Sequence, residues 1–169
     1  NVLSLKYPKE KLEVIIVSDG STDRTAELVR QHANAQIKLF SLPERKGKAT
    51  ALNEGLKATD AEIIVFSDSS IMMETEALRN IIAPFRSPHV GCVSGEDHII
   101  GGDEEGLYGK YELFLRKLES RLNSVVGASG CFYAQRKSLC HPFIEGMAPD
   151  FLSVLYTIED GFQAKSQSS

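Results

Sequence analysis

The sequence contains no tryptophan and only three cysteines among its 169 residues. The number of cysteines is odd, and no C-x-x-C spacing occurs among Cys92, Cys131 and Cys140. Both features argue against a disulfide framework and a zinc site. The four histidines are scattered and form no visible metal cluster. The longest apolar runs, such as Val14–Val17 and Ile63–Phe66, are four residues each. A membrane-spanning helix needs about 20.

The chain also lacks an excess of basic residues. Nineteen lysines and arginines stand against 23 acidic residues, for a net charge of -4. Because no basic stripe is present to neutralise phosphates, we expect no nucleic-acid partner. The apolar and charged fractions, 42% and 25%, are typical of globular proteins. The length fits one domain, and the polar Lys165–Ser169 segment is predicted to be frayed.

Strands and helices alternate through the first hundred residues. The apolar, β-branched runs predict strands at Leu12–Val17, Gln36–Leu42, Glu62–Phe66 and Val90–Gly95. Polar caps and turns predict helices from Ser21 to Gln31, from Gly47 to Ala58 and from Glu74 to Phe85. This alternation implies βαβ units, and therefore an α/β fold in which a mostly parallel central sheet carries helices on both faces, as a three-layer α/β/α sandwich.

The pattern changes after residue 100. A glycine-rich segment predicts a flexible loop over residues 101–106, and apolar positions spaced three and four apart predict a long amphipathic helix over residues 107–123. A strand at Cys131–Gln135 and a last helix at Phe151–Glu159 follow. The sequence shows no linker that would split the chain into separate domains.

Two acidic residues follow apolar strands at the point where each strand ends. Asp19 closes the first strand and Asp68 follows the third. Ligands of open α/β sheets bind beyond the carboxyl ends of the strands, and a carboxylate there can ligate a hard cation carried by a diphosphate. The alternative is an ordinary turn or cap role, for which aspartate is well suited. For a single aspartate at a strand end the structural role is favoured. For two aspartates in successive units the structural and ligand-binding interpretations are nearly balanced.

Two further segments have both a functional and a structural interpretation. Lys46-Gly47-Lys48 precedes a helix, where backbone N–H groups and a lysine favour an anion, although two solvated lysines would look the same. A P-loop is rejected, because Leu42 stands where its first glycine belongs and Ala49 where a serine or threonine is needed. Asp150 opens the last helix and is either a cap or a general base.

Five segments, in chain order, together resemble the family 2 glycosyltransferases. They are Val17–Thr25 (the family's V-D-D-G-S-T-D-x-T), Lys46–Gly55 (x-G-K-x-x-A-L-N-x-G), Ile64–Ser70 (at the family's D-x-D), Gly127–Arg136 (G-x-x-G-x-x-x-x-x-R, beside the acceptor) and Pro149–Phe151 (at the catalytic aspartate). The match spans nearly the whole chain. The resemblance implies a fold of the GT-A, nucleotide-diphospho-sugar transferase type.

The resemblance also implies an activity and a set of site residues. It implies transfer of a sugar from a UDP- or GDP-sugar to a hydroxyl of a saccharide or lipid-linked acceptor, with inversion, in polysaccharide or glycolipid synthesis. The implied roles are donor nucleotide binding for Asp19, Ser21 and Lys48, metal and diphosphate binding for Asp68 and Ser70, acceptor-side contacts for Gly127, Ser129 and Gly130, and general-base catalysis for Asp150. The implied cofactor is Mg²⁺ or Mn²⁺.

The sequence departs from the family pattern at several points. Ser18 stands where a first aspartate is common, and Ser70 stands where the second aspartate of D-x-D belongs, so one metal carboxylate is missing. The family's first strand and its downstream Q-x-x-R-W motif are not found. We therefore interpret the chain as an internal fragment without its first strand, with residues 1–100 as the nucleotide-sugar half and residues 101–169 as the acceptor half. We expect the full-length protein in the cytoplasm or at the cytoplasmic face of a membrane, to which segments outside this chain would attach it.

Two alternatives remain open at this point. A non-catalytic nucleotide-binding module with a degenerate transferase site is favoured by Ser70 and opposed by Asp68 and Asp150. A nucleotidyltransferase would share the architecture, but it needs an early G-x-G-T-R-L-type loop that this chain lacks.

Overall fold

The computed structural model describes residues 1–34, 36–96 and 127–167. The strands are β1 (Val14–Asp19), β2 (Ile37–Leu42), β3 (Ile63–Ser67), β4 (Val90–Ser94), β5 (Phe132–Arg136) and β6 (Gln163–Ser166). The helices are α1 (Thr25–His32), α2 (Lys48–Lys57), α3 (Ala77–Ile82) and α4 (Pro149–Glu159), with 3₁₀ turns at Val2–Ser4, Lys9–Lys11, Ala83–Arg86 and Lys137–Leu139. The predicted loop at 101–106 and the predicted helix at 107–123 lie outside the described residues.

The first helix begins later than predicted. Ser21 was expected at its start, but α1 starts at Thr25. The carboxylate of Asp23 accepts the Thr25 backbone N–H at 2.9 Å, so Asp23 satisfies one of the amides that the start of a helix leaves unpaired. Ser21 pairs instead with Ser18, whose Oγ donates to the Ser21 Oγ at 2.8 Å. The prediction was wrong because several residues in this turn are competent caps.

The chain divides into two compact units. The first, here called the two-stranded unit, comprises Tyr7–Ala61 and Pro142–Pro149. Its strands β1 and β2 pair in parallel, from Val14 opposite Ile37 to Asp19 opposite Leu42. Helix α2 packs against β1 and helix α1 against β2, as expected for strands linked through a crossover helix.

The four-stranded unit comprises Asn1–Lys6, Glu62–His141 and Asp150–Ser169. Its sheet has the order β3-β5-β4-β6. Strand β5 runs antiparallel to β3 and β4, and β6 runs parallel to β4. Three of the four strands therefore point the same way, which agrees with the mostly parallel sheet that the sequence predicts.

Alternate residues of β5 face helices on opposite sides of this sheet. Phe132 and Ala134 join Ile81 of α3 in an apolar cluster of buried residues. Tyr133 and Gln135 face α4, where both form hydrogen bonds with Ser153. Within this unit the sheet thus carries a helix on each face, the arrangement that the alternation of strands and helices predicts.

The last strand contradicts the prediction of a frayed end. Strand β6 pairs in parallel with β4, and Ala164 at its centre is fully buried. The Gln167 N–H extends the contact by donating to the Ser94 carbonyl at 2.9 Å. The sequence of Gln163–Ser166 gives no apolar strand pattern, because Ala164 is the one buried residue of this strand. Among the residues described, no helix has the length and apolar character required to cross a membrane.

Candidate functional site

Asp19 shapes the turn that precedes helix α2. It ends β1, and its two carboxylate oxygens accept the backbone N–H groups of Lys46 at 2.7 Å and Gly47 at 2.9 Å. Hydrogen bonds from backbone N–H groups to a carboxylate are stronger than those between neutral groups. A carboxylate has about four acceptor sites, so these two bonds leave lone pairs on Asp19 for a ligand. Asp19 therefore has a structural role, whatever ligand it binds.

Two glycines adopt backbone angles that the end of β1 and the turn before α2 require. Gly20 has φ of +64° and Gly47 has φ of +94°, and a Cβ on Gly20 would lie 2.6 Å from the Glu44 backbone carbon. Such backbone angles are readily adopted only by glycine. Lys48 is the exposed first residue of α2. The sequence-predicted donor residues Asp19, Ser21 and Lys48 all belong to the two-stranded unit.

The Asn53 side chain connects α2 to the segment Pro142–Pro149. Its Nδ2 donates to the Phe143 carbonyl at 2.9 Å, and its Oδ1 accepts the Phe143 N–H at 2.8 Å. This paired bond explains why an asparagine occurs in the matched Lys46–Gly55 segment. The sequence identified that segment but assigned no role to Asn53.

The predicted metal residues follow β3 in the four-stranded unit. The Asp68 N–H donates to the Cys131 carbonyl at 3.0 Å, which fixes Asp68 beside the start of β5. Ser70 is exposed two residues later. Among the residues that the structure describes, no group of three or more His, Cys, Asp or Glu side chains is arranged to hold a metal ion. A single carboxylate with a hydroxyl fits a cation that arrives on a diphosphate, because such cations take most ligands from phosphate and water.

Asp150 lies in the first turn of α4, after Pro149 at the first helical position. Proline is suited to that position because its φ matches the helix and its missing N–H is not needed there. Gly130 lies beside Asp150, since a Cβ on Gly130 would be 3.9 Å from the Asp150 Cγ. Asp150 is half-buried and Gly130 is exposed, so this end of α4 is partly open to solvent.

The other predicted acceptor-side residues differ in environment. Ser129 is buried, its N–H donates to the Ser94 Oγ at 2.8 Å, and its Oγ accepts the N–H groups of Cys131 and Phe132, both at 3.2 Å. These bonds give Ser129 a part in building the start of β5. Apart from its chain neighbours, no atom of the described residues lies within 4 Å of the place where a Cβ on Gly127 would be. Of the three, the structure brings Gly130 to Asp150.

Two residues on β5 that the sequence did not single out contact α4, the helix that carries Asp150. Tyr133 is 2% exposed and stacks on Phe66, with ring centroids 4.6 Å apart. Burial raises the pKa of the Tyr133 phenol well above its usual range, and the negative charge of Asp150 adds to this. Tyr133 therefore remains a neutral hydroxyl, hydrogen-bonded to Ser153. Gln135, 1% exposed, also contacts α4.

Arg136, which ends the segment predicted to lie beside the acceptor, makes structural contacts. Its guanidinium donates to the carbonyls of Phe85, Ser87 and Val90 at 2.8, 3.2 and 2.9 Å. It also pairs with Glu62 at 3.1 Å and lies over the Phe85 ring. This arginine therefore joins β5 to the turn before β4.

Comparison with known sequences identifies a single family. The model of glycosyl transferase family 2 matches residues 1–141. Poly-β-1,6-N-acetyl-D-glucosamine synthase of Staphylococcus epidermidis is 31% identical over 148 residues, which cover 82% of this chain and 35% of that protein. The corresponding synthase of Staphylococcus aureus (strain COL) is 32% identical with the same coverage. The chain thus spans about a third of the length of these curated relatives.

Solved structures with a similar fold lead to the same family. The mannosyltransferase PcManGT from Pyrobaculum calidifontis, in complex with GDP-Man and Mn²⁺, is similar to this chain with a TM-score of 0.86 and 27% identity, covering 100% of this chain and 50% of that one. S. aureus TarS with UDP-GlcNAc has a TM-score of 0.73 at 19% identity, over 99% of this chain and 52% of that one, a likeness of fold alone. These likenesses confirm the predicted α/β fold of the GT-A type. By the family match, the fold and the sequence likeness together, this chain belongs to glycosyl transferase family 2.

Proposed function

We propose that this chain carries the catalytic machinery of a glycosyltransferase that moves a sugar from a nucleoside-diphosphate donor to an acceptor hydroxyl. The observation that carries this proposal is the placement of Asp150, half-buried in the first turn of α4 beside the exposed Gly130. A carboxylate in reach of a bound hydroxyl can accept its proton as the hydroxyl attacks the anomeric carbon. A single in-line attack inverts that carbon.

The two-stranded unit supplies the donor-binding residues in this proposal. Asp19 fixes the turn at Lys46 and Gly47 through two backbone hydrogen bonds. That turn leads into α2, whose first amides and positive dipole end favour an anion. Lys48 adds a positive charge at this helix start. We assign the donor nucleotide to Asp19 and Ser21 and the diphosphate to Lys48.

Asp68 and Ser70 are the residues that would hold a divalent cation in the four-stranded unit. The cation, when bound, would neutralise charge on the departing nucleoside diphosphate. With one carboxylate and one hydroxyl, the protein would bind the metal weakly alone and more tightly with the diphosphate. The PcManGT structure contains Mn²⁺ with GDP-Man, which supports a divalent metal here.

The named relatives narrow the substrate class. Two synthases of poly-β-1,6-N-acetyl-D-glucosamine exceed 30% identity over most of this chain. We therefore propose a growing polysaccharide as the acceptor and a UDP-sugar as the first donor to test, with a GDP-sugar as the second. We place the reaction at the cytoplasmic face of a membrane, where nucleotide sugars are available.

The first test is calorimetric titration of UDP and GDP, with and without Mn²⁺, into the full chain and its Asp68→Ala variant. We expect one nucleotide to bind in a metal-dependent way, and the variant to lose the metal-dependent part. Asp23→Ala is the control, because the Asp23 carboxylate accepts hydrogen bonds from the backbone and side chain of Thr25 on an exposed turn. Binding of neither nucleotide by the folded chain would refute the donor site.

The second test addresses catalysis through release of nucleoside diphosphate. Asp150→Asn keeps the shape of the side chain but removes its basicity, so transfer should fall by at least about 100-fold, with nucleotide binding unchanged. Full transfer by Asp150→Asn would remove Asp150 from the catalytic role.

One alternative has an observation of its own. Ser70 replaces the second acidic residue of the metal motif, which favours a nucleotide-binding module without turnover. Nucleotide binding without transfer to any saccharide acceptor would select that alternative.

A further inference from the structure

Gln135 is a polar side chain buried in an apolar strand. It lies on β5 after Phe132, Tyr133 and Ala134, and only 1% of its surface is exposed. Burying a carboxamide costs free energy unless its hydrogen-bonding groups are satisfied. The contacts of Gln135 are therefore expected to stabilise a specific arrangement.

Those contacts join β5 to helix α4. The Gln135 Nε2 donates to the Ser153 carbonyl at 3.0 Å and to the Thr157 Oγ1 at 3.1 Å, and also to the Leu139 carbonyl at 3.0 Å. Since Nε2 carries two hydrogens, one of them is shared. The Gln135 Oε1 accepts the Cys140 thiol at 3.4 Å. The reverse orientation of the amide would point its oxygen at two carbonyls, so this network fixes the amide orientation.

Thr157 closes the network on the helix side. Its hydroxyl donates to the same Ser153 carbonyl at 2.7 Å. Ser153 and Thr157, like Gln135, are at most 1% exposed, so solvent offers no substitute partner. A loss of the Gln135 donors would leave buried acceptors on α4 without their bond to the sheet, which is more costly than losing an exposed bond.

Asp150 lies on the same helix, three residues before Ser153. This is a distance of about 4.5 Å along the helix axis. Strand β5 bonds to α4 through Tyr133 and Gln135, both at Ser153, and Gly130, just before the strand, lies beside Asp150. The place of the Asp150 carboxylate relative to Gly130 depends on where α4 lies on β5.

We propose that Gln135 is a positioning residue for Asp150, which holds α4 on β5 so that the carboxylate lies beside Gly130. The inference rests on the proposed role of Asp150 as general base. Gln135 acts through the helix and touches no substrate. Its loss should therefore change the rate of transfer more than the binding of donor.

The main test is Gln135→Met in the full chain, because methionine has a similar length and no donor. We expect kcat to fall about 10- to 100-fold, the cost of a displacement near 1 Å at a reacting group. The donor KM should stay within about twofold, because Gln135 bonds to α4 and that helix carries none of the proposed donor or metal residues. Amide hydrogen exchange should increase along Asp150–Thr157.

Arg136→Met is the matched control, since Arg136 is the next residue on β5 and also loses several bonds to carbonyls. Those bonds lead away from α4. This control should be destabilised at least as much, yet keep kcat within about twofold at a temperature where both variants are folded. An equal loss of kcat in both variants would show a role in stability alone.

Two further variants separate this inference from the proposed function. Gln135→Glu, whose pKa burial would raise, keeps one donor when protonated, so its kcat should lie between wild type and Gln135→Met. It also serves if Gln135→Met does not fold. In an Asp150→Asn background, Gln135→Met should lower the residual rate by less than about twofold, because coupled residues are not additive.

The outcomes are distinct. An inactive Asp150→Asn with unchanged kcat in the Gln135 variants would overturn this inference and keep the proposed function. Additive losses in the double variant would also overturn it. A fully active Asp150→Asn would overturn both.

Discussion

The two units hold their candidate site residues by different means. In the two-stranded unit, Asp19 accepts the backbone N–H groups of Lys46 and Gly47, in a turn that lies against Gly20. In the four-stranded unit, Asp150 lies on a helix that buried side chains of β5 bind. The first arrangement depends on backbone conformation and the second on burial.

The distribution of buried side chains explains this difference. Most buried apolar residues belong to the four-stranded unit, whereas the two-stranded unit contributes Ile37, Ala49 and Phe143 among the described residues. A unit with so little buried surface gains less from the hydrophobic effect. Its turn therefore relies on glycine geometry and on hydrogen bonds to a carboxylate.

The largest expected effect comes from Gly20→Ala. An alanine there must adopt a φ near +64° and place its Cβ against the Glu44–Arg45 backbone. Strain and overpacking together should lower the free energy of unfolding by about 3 kcal/mol. Chemical denaturation measures this directly.

Gly130→Ala is the matched change in the other unit. Its Cβ would make an ordinary contact with Asp150 at 3.9 Å, so we expect stability to change by no more than about 0.5 kcal/mol. Equal destabilisation by both substitutions would remove the distinction between the units.

A smaller effect is expected from Asn53→Ala. It removes both hydrogen bonds to the Phe143 backbone, and thermal or chemical unfolding should show a loss of about 2 kcal/mol. Glu54→Ala on the same helix loses only an ion pair with Lys57 and should cost less than about 0.5 kcal/mol. If Asn53→Ala were as mild as this control, the Pro142–Pro149 segment would not depend on Asn53.

The sequence predicted elements well where burial leaves a pattern. Runs such as Val14–Val17 and Ile63–Phe66 predicted β1 and β3 because a short continuous apolar run bounded by turn residues is typical of a strand. It failed at β6, which is a strand because β4 offers an open edge, a tertiary fact that no local pattern carries.

The candidate site was also predictable only where a local pattern exists. The segments around Asp19 and Asp150 were found through turn residues and family resemblance, and which residues take part in catalysis stays a prediction. Asp19 accepts the N–H groups of Lys46 and Gly47, which lie 27 and 28 positions away in the sequence. A local sequence pattern could not predict these bonds. Gln135 had one signal, a carboxamide at the end of an apolar strand, but its partners on α4 lie 18 and 22 positions away.

Ser70→Asp sharpens the comparison at the proposed metal site. The four-stranded unit offers one carboxylate there, and a second adjacent carboxylate should lower the Mn²⁺ concentration for half-maximal nucleotide binding on the order of tenfold, since ligand charge sets cation affinity at oxygen sites. Ser69→Asp is the control, because it adds the same charge at the neighbouring position. Equal effects of both would indicate general electrostatic attraction, and no effect of either would place the metal elsewhere.

The smallest expected effect is a loss of stability at alkaline pH that belongs to the four-stranded unit. Burial raises the pKa of the Cys92 and Cys140 thiols from 9.0 to about 12. Between those values the unfolded chain releases protons that the folded chain keeps, so stability is full at neutral pH, begins to fall as pH approaches 9 and falls further as pH rises towards 12. From pH 7 to pH 9 each thiol should lower the free energy of unfolding by about 0.4 kcal/mol.

Cys92→Ala should reduce this pH dependence by about half while lowering stability at every pH through the cavity it leaves. The slope of unfolding free energy against pH separates the two effects, and a slope unchanged by Cys92→Ala would assign the alkaline loss to other groups.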